Sequence, residues 1–181
     1  MIDPAFLFEF KRVTELRWQN ASIDPRIYGF QFQPGTKWNP GLPPEAITGY
    51  EDVLQIRFPH DFRLLLAGMN GTDLPTLNVY GSSGEPHSQS TGVYSYRRDL
   101  EIVKQMIDIV VQDRDQIIVA LAEQGFDLPS EARLAPFFAH RFVVCGPDLN
   151  RSVVLSIWGT DAIVYGNTLQ EYLEHEFLLD K

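Results

Sequence analysis

Residues 43–73 read PPEAITGYEDVLQIRFPHDFRLLLAGMNGTD, and their patterning decides the class of fold. Pro43-Pro44-Glu45 opens a helix that carries Ile47, Tyr50 and Leu54 on one face, because a proline in the first turn gives up no hydrogen bond. Pro59 starts a second helix with Phe62, Leu65, Leu66 and Met69 apolar. Asn70-Gly71 is expected to end it, since both residue types tolerate the left-handed backbone that closes a helix. A stretch so regularly patterned and so poor in reactive groups points to a binding module rather than to an active site.

On the N-terminal side, Asp3-Pro4 caps a first helix with Phe6, Phe10, Val13 and Leu16/Arg17 at helical spacing, a packed arm over residues 1–20. Residues 20–42 are irregular, with Tyr28, Phe30 and Phe32 alternating in a short strand. On the C-terminal side Leu77–Tyr80 reads as a strand and Gly81–Thr91 as a loop, with Glu85 and His87 in it. A helical pattern runs from Asp99 to Gln124 through Leu100, Val103, Ile107, Val110, Ile117 and Leu121. Arg114 interrupts that stripe, so either a kink or two helices meeting near Asp113 is expected. Phe142–Cys145, Val153–Trp158 and Ala162–Tyr165 are β-branched runs joined by short turns, a three-strand antiparallel meander. Thr168-Leu169-Gln170-Glu171 is a capping box that opens the last helix, with Leu169, Tyr172, Leu173 and Phe177 apolar. The class is α+β, and 181 residues are most simply one domain.

Composition narrows the function. No apolar run reaches the roughly 20 residues of a membrane span, and MIDPAFLFEFKR lacks the basic start of a signal peptide. The lone Cys145 allows no internal disulfide, which suits a reducing, cytoplasmic setting. The net charge of −9 is concentrated. Residues 99–131 hold eight acids against Lys104 and Arg114, and residues 168–181 hold four against Lys181. Such a field repels nucleic-acid phosphates and steers a cationic partner, and no basic stripe with interleaved aromatics opposes it.

Reactive constellations are scarce. The four histidines show no HxxxH or HExxH spacing, so no metal site is preset, and no glycine-rich phosphate cradle or GxSxG elbow is present. Cys145 reads as a small core residue and His175 as part of a solvated turn. No cofactor and no catalytic residue is expected. Three features suit partner binding. Glu101, Asp108 and Asp115 recur every seven residues on one helix face; Trp38 and Trp158 sit near chain reversals, as interface anchors or as lids on the core; Asp161 follows Trp158 in the Gly-Thr-Asp turn.

Glu45-Ala46-Ile47 to Glu51, Leu54, Phe58-Pro59-x-Asp61-Phe62, Leu65-Leu66 and Asn70-Gly71 together resemble the signature of the SUKH superfamily, the Smi/Knr-like proteins. The distal half is similar too, at Pro136 to Phe142, Val154-Leu155-Ser156-Ile157, Asp161-x-Ile163-x-Tyr165-Gly166 and Leu169-x-x-Tyr172-Leu173 to Phe177. Together these cover residues 28–178; the arm 1–20 and the acidic region 99–127 fall outside the pattern. The resemblance implies a curved, mostly antiparallel sheet backed by helices, and no catalytic residues. It further implies an immunity protein that neutralises a toxin domain by binding it, or alternatively a regulatory scaffold in cell-wall or signalling pathways. The oligomeric state stays open.

Overall fold

The computed structural model describes residues 2–79, 86–88 (backbone only) and 92–179. Helix α1 (Pro4–Gln19) begins as its sequence dictates, with the Asp3 carboxylate accepting the Phe6 N–H at 2.8 Å and Pro4 in the first turn. Its buried stripe is Leu7, Phe10, Thr14 and Trp18, rotated from the expected Phe6–Phe10–Val13–Leu16 face. Trp18 sets the rotation. Its ring stacks on Phe32 at 4.2 Å and meets Trp38 at 5.3 Å, while the Trp38 indole N–H donates to the Thr14 hydroxyl at 2.8 Å.

Strands β1 (Gly29–Gln31) and β2 (Trp38–Pro40) follow, then α2 (Pro44–Leu54) and α3 (His60–Gly68). The second helix stops at Gly68, not at Asn70-Gly71. Met69 is extended and opens β3 (Met69–Thr72), which pairs antiparallel with β2. Asn70 and Gly71 therefore stitch chain to chain instead of closing a helix. The Asn70 side-chain oxygen accepts the Tyr96 N–H at 2.8 Å. Gly71 has φ +69°, and a Cβ there would meet the backbone of Tyr94 and Ser95 at 2.8 Å.

Strand β4 (Leu77–Val79) pairs with β1 on one side and with β5 (Pro86–Ser88) on the other, so part of the expected 81–91 loop is strand. Residues 80–85 and 89–91, Glu85 among them, lie outside the described residues, as does the side chain of His87. The acidic helical region is two helices, α4 (Leu100–Gln112) and α5 (Arg114–Ala122), which meet at Asp113.

The meander has four strands rather than three: β6 (Arg133–Phe138), β7 (Arg141–Cys145), β8 (Val154–Trp158) and β9 (Asp161–Gly166), in that order and all antiparallel. Pro136 hides β6 from a pattern reading. It is accommodated because the register shifts between Pro136 and Phe138, where a residue without an N–H is tolerated. Helix α6 (Leu169–Leu173), capped by the Thr168 hydroxyl, runs into a π-helical turn, Glu174–Leu178.

The strand alternation gives this sheet two working faces. Phe142, Leu155, Ile157 and Ala162 point to one side and form a core with Val110, Ile117 and Leu121 of α4 and α5. Val143, Cys145 and Val154 point to the other, into a larger core with Phe10, Phe62, Leu65, Tyr172 and Phe177. Helices therefore cover both faces.

Two buried carboxylates lock the helices of residues 43–73 in place. Glu51 accepts the Phe58 N–H at 2.8 Å and the Arg63 guanidinium. Asp61 accepts the Ile2 N–H at 3.1 Å and the Ser152 hydroxyl at 3.2 Å, joining the N-terminal arm to the entrance of β8. Among the described residues no helix is long and apolar enough to cross a membrane.

Candidate functional site

The same alternation that buries Val143 and Val154 brings Arg141, Ser156 and Trp158 to the far end of the second sheet face, where Trp158 is left exposed. Across from Ser156 the register places Ile163, and across from Trp158 it places Asp161. The result is an uncovered sheet end. It forms one wall of a cleft of about 850 Å³, whose other walls come from α1 and from the stretch 27–32 around β1. That volume lies within the usual range for binding pockets, roughly 300–1,000 Å³.

Large apolar side chains gather at this cleft despite their exposure. Trp158 is 73% exposed, Tyr28 65% and Ile27 43%. Trp158 also borders a second pocket of about 260 Å³, which it shares with Met106 and Ile109 of α4. The indole thus stands as a ridge between two hollows, with the His140 ring against it at 5.6 Å and an interplanar angle of 78°.

Arg141, Glu176 and His140 are among the polar groups that line the cleft. The π-helical turn brings Glu176 to within 3.8 Å of the Arg141 guanidinium, which also donates to the Ser156 hydroxyl at 2.7 Å and lies over the Tyr165 ring at 4.0 Å. Burial, and secondarily the neighbouring Arg141, lowers the His140 pKa to about 4, so the ring is neutral at physiological pH. The sign of the linkage follows. The unfolded chain takes up this proton near pH 6.5 and the folded chain only near 4, so His140 favours folding above pH 6.5 and loses that contribution as pH falls between the two values. The melting temperature is expected to fall more steeply between pH 6.5 and 4 in the wild type than in His140→Gln; parallel curves would contradict it.

The expected site residues separate into two groups. Trp158 and Asp161 are both exposed, and they are brought together as cross-strand partners. Trp38 is corrected: at 4% exposure it is a core residue whose ring packs against Phe10, Trp18 and Phe177, and its position before a turn misrepresents it as a surface group. Glu101, Asp108 and Asp115 are exposed. The break at Asp113, however, puts Asp115 on a second helix, so the seven-residue spacing no longer fixes all three on one face. Glu101 pairs with Lys104 at 3.1 Å, and Asp108 borders a small groove with Arg114 and Arg133. These acids belong to the helix layer on the opposite side of the sheet from the cleft.

The reading of residues missed Arg141, Tyr165 and Glu176 as a set, and it took Tyr28 as a strand residue; Tyr28 precedes β1 and faces solvent. Alternation from the buried Val143 back to Arg141 is the sequence signal for the first. For Glu176 there is none, because a π-helical turn shifts the face that helical spacing predicts. Cys145 is buried and its thiol is pushed well above the ordinary range by desolvation. Among the described residues no three of His, Cys, Asp and Glu converge as metal ligands. No family model, curated protein or solved structure matches this chain.

Proposed function

We propose that this chain is a non-catalytic, protein-binding domain of the immunity type, which neutralises a basic toxin domain by covering it with the uncovered end of its four-stranded sheet. The observation that carries the reading is Trp158, an exposed indole flanked by Tyr28 and Ile27 around one open cleft. Aromatic side chains of this kind dominate interface energetics when a partner desolvates them. The chemistry around them supports binding over catalysis. Glu176 is the one carboxylate that lines the cleft among the described residues, and it faces an arginine. The toxin class comes from the SUKH resemblance and from the net charge of −9, which favours encounter with a basic surface.

The test is capture from the native host at low salt with the tagged full chain, followed by mass spectrometry. A stoichiometric basic toxin domain is the expected result. Recovery of cell-envelope or signalling proteins instead would overturn the immunity reading in favour of a regulatory scaffold. With the partner in hand, reversing the charge of Glu101, Asp108 and Asp115 should slow association several-fold at low salt and leave dissociation nearly unchanged, because exposed acids act through steering. Stopped-flow kinetics with no such change would remove the acidic helices from the encounter.

A further inference from the structure

Trp158 and Asp161 flank the Gly159-Thr160 turn as register partners, so their Cβ atoms are about 5 Å apart on one side of the hairpin. Ile163, 40% exposed, stands two residues along β9 on the same face as Asp161. Any partner that covers the indole therefore covers the carboxylate as well. Burying an ionised carboxylate without a counter-charge or hydrogen-bond donor is strongly unfavourable. A purely apolar partner surface would meet that cost in full, and an acidic one would add repulsion.

Among the described residues, neither His140 nor Arg141, which lie nearest the hairpin along the sheet, is free to supply that charge. His140, against the indole, stays neutral down to about pH 4. Arg141 is held under Tyr165, bonded to Ser156 and facing Glu176. The charge that the hairpin itself presents beside the indole is that of Asp161, on a chain of net charge −9.

Resting on the protein-binding reading above, we infer that Trp158 and Asp161 together form a seat for a lysine or arginine side chain of the partner protein. The cationic head lies over the indole face and against the Asp161 carboxylate, and its methylene stem runs across Ile163. A cation within about 6 Å of a tryptophan ring is attracted to the ring face, the more so once desolvated, and the carboxylate adds direction to that attraction.

Three labelled hexapeptides of sequence GLXLXG, with X as arginine, glutamine or glutamate, test this by fluorescence anisotropy against the full chain. The arginine peptide is expected to bind about ten-fold more tightly than the glutamine peptide, and the glutamate peptide not measurably. Trp158→Ala should weaken the arginine peptide about ten-fold and Asp161→Asn about five-fold, with the melting temperature of both variants unchanged because both side chains are exposed. Failure of the arginine peptide to bind, equal binding of the glutamine or glutamate peptide, or indifference to both substitutions overturns the cation seat. The capture experiment separates that failure from failure of the wider reading. A host partner lost on Trp158→Ala but kept on Asp161→Asn leaves protein binding in place and removes only the cationic side chain.

Discussion

Gly41→Ala is expected to lower the unfolding free energy by on the order of 4 kcal/mol, enough to leave a small domain scarcely folded. A Cβ at Gly41 would sit 1.8 Å from the Ala67 carbonyl oxygen and 2.4 Å from its carbon. Neither is a flexible side-chain tip that can swing away. The next residue holds the gap closed, since the Leu42 N–H donates to the Leu66 carbonyl at 2.8 Å. To admit a methyl group, the segment entering α2 must separate from the last turn of α3, breaking that bond and opening the core beside Leu66. Gly49→Ala is the internal control. Its added carbon would meet nothing nearer than the Tyr96 hydroxyl at 3.8 Å, and alanine in a helix interior gains about 0.5–1 kcal/mol over glycine. Urea denaturation of the two variants should move the midpoint in opposite directions. A Gly41→Ala midpoint within experimental scatter of the wild type would show that these two segments are not packed as described.

Glu51→Ala should cost about 3 kcal/mol. Glu51 is 3% exposed, and its carboxylate is the acceptor for the buried Phe58 N–H and for Arg63. Removing it strands the amide in an apolar setting beside Tyr50, Phe58 and Phe62 and leaves Arg63 without its counter-charge. Glu51→Gln keeps the shape and can still accept from Phe58, so it should lose less than the alanine variant. Chemical denaturation of the two, compared at equal slope, decides the point. Equal losses in both would assign the effect to the negative charge facing Arg63 rather than to the Phe58 hydrogen bond or to side-chain volume.

These two predictions also give physical content to the motif in residues 43–73. Within residues 43–73, Glu51, Phe58, Asp61 and Phe62 are among the residues on which the proposed SUKH resemblance rests, and each of these four is buried in a structural role. These four residues of the 43–73 segment therefore build the scaffold, and the exposed groups proposed to meet a partner lie on the β8–β9 hairpin and around β1.

How far the sequence revealed this fold depends on the kind of signal. Helix starts were legible wherever a side chain acts locally, as at Asp3-Pro4, Pro59 and Thr168, because a cap is set within four residues. The division at Asp113 was legible from Arg114, a charge on an otherwise apolar stripe. Features fixed at long range were not. Asn70-Gly71 carries a helix-stop pattern, yet it forms a strand because Asn70 receives an N–H from Tyr96, 26 positions away. Strand β6 was concealed by Pro136, whose tolerance depends on a register shift against β7. Trp38 and Trp158 occupy similar turn contexts in sequence; Thr14 and the Phe10–Trp18 cluster bury the first, while the second stays 73% exposed at the edge of the sheet. Of the cleft, the Trp158–Asp161 hairpin was within reach of a sequence reading. The Arg141–Glu176 pair was not, because it joins a strand to a π-helical turn 35 residues later.

Amide hydrogen exchange on the full chain, free and with its captured partner, tests most directly whether the uncovered sheet end is the binding surface. Protection is expected at residues 27–32, 139–141 and 156–165, with the outer surfaces of α4 and α5 changed little. Protection confined to α4 and α5, with the β8–β9 hairpin exchanging as in the free chain, would contradict the account.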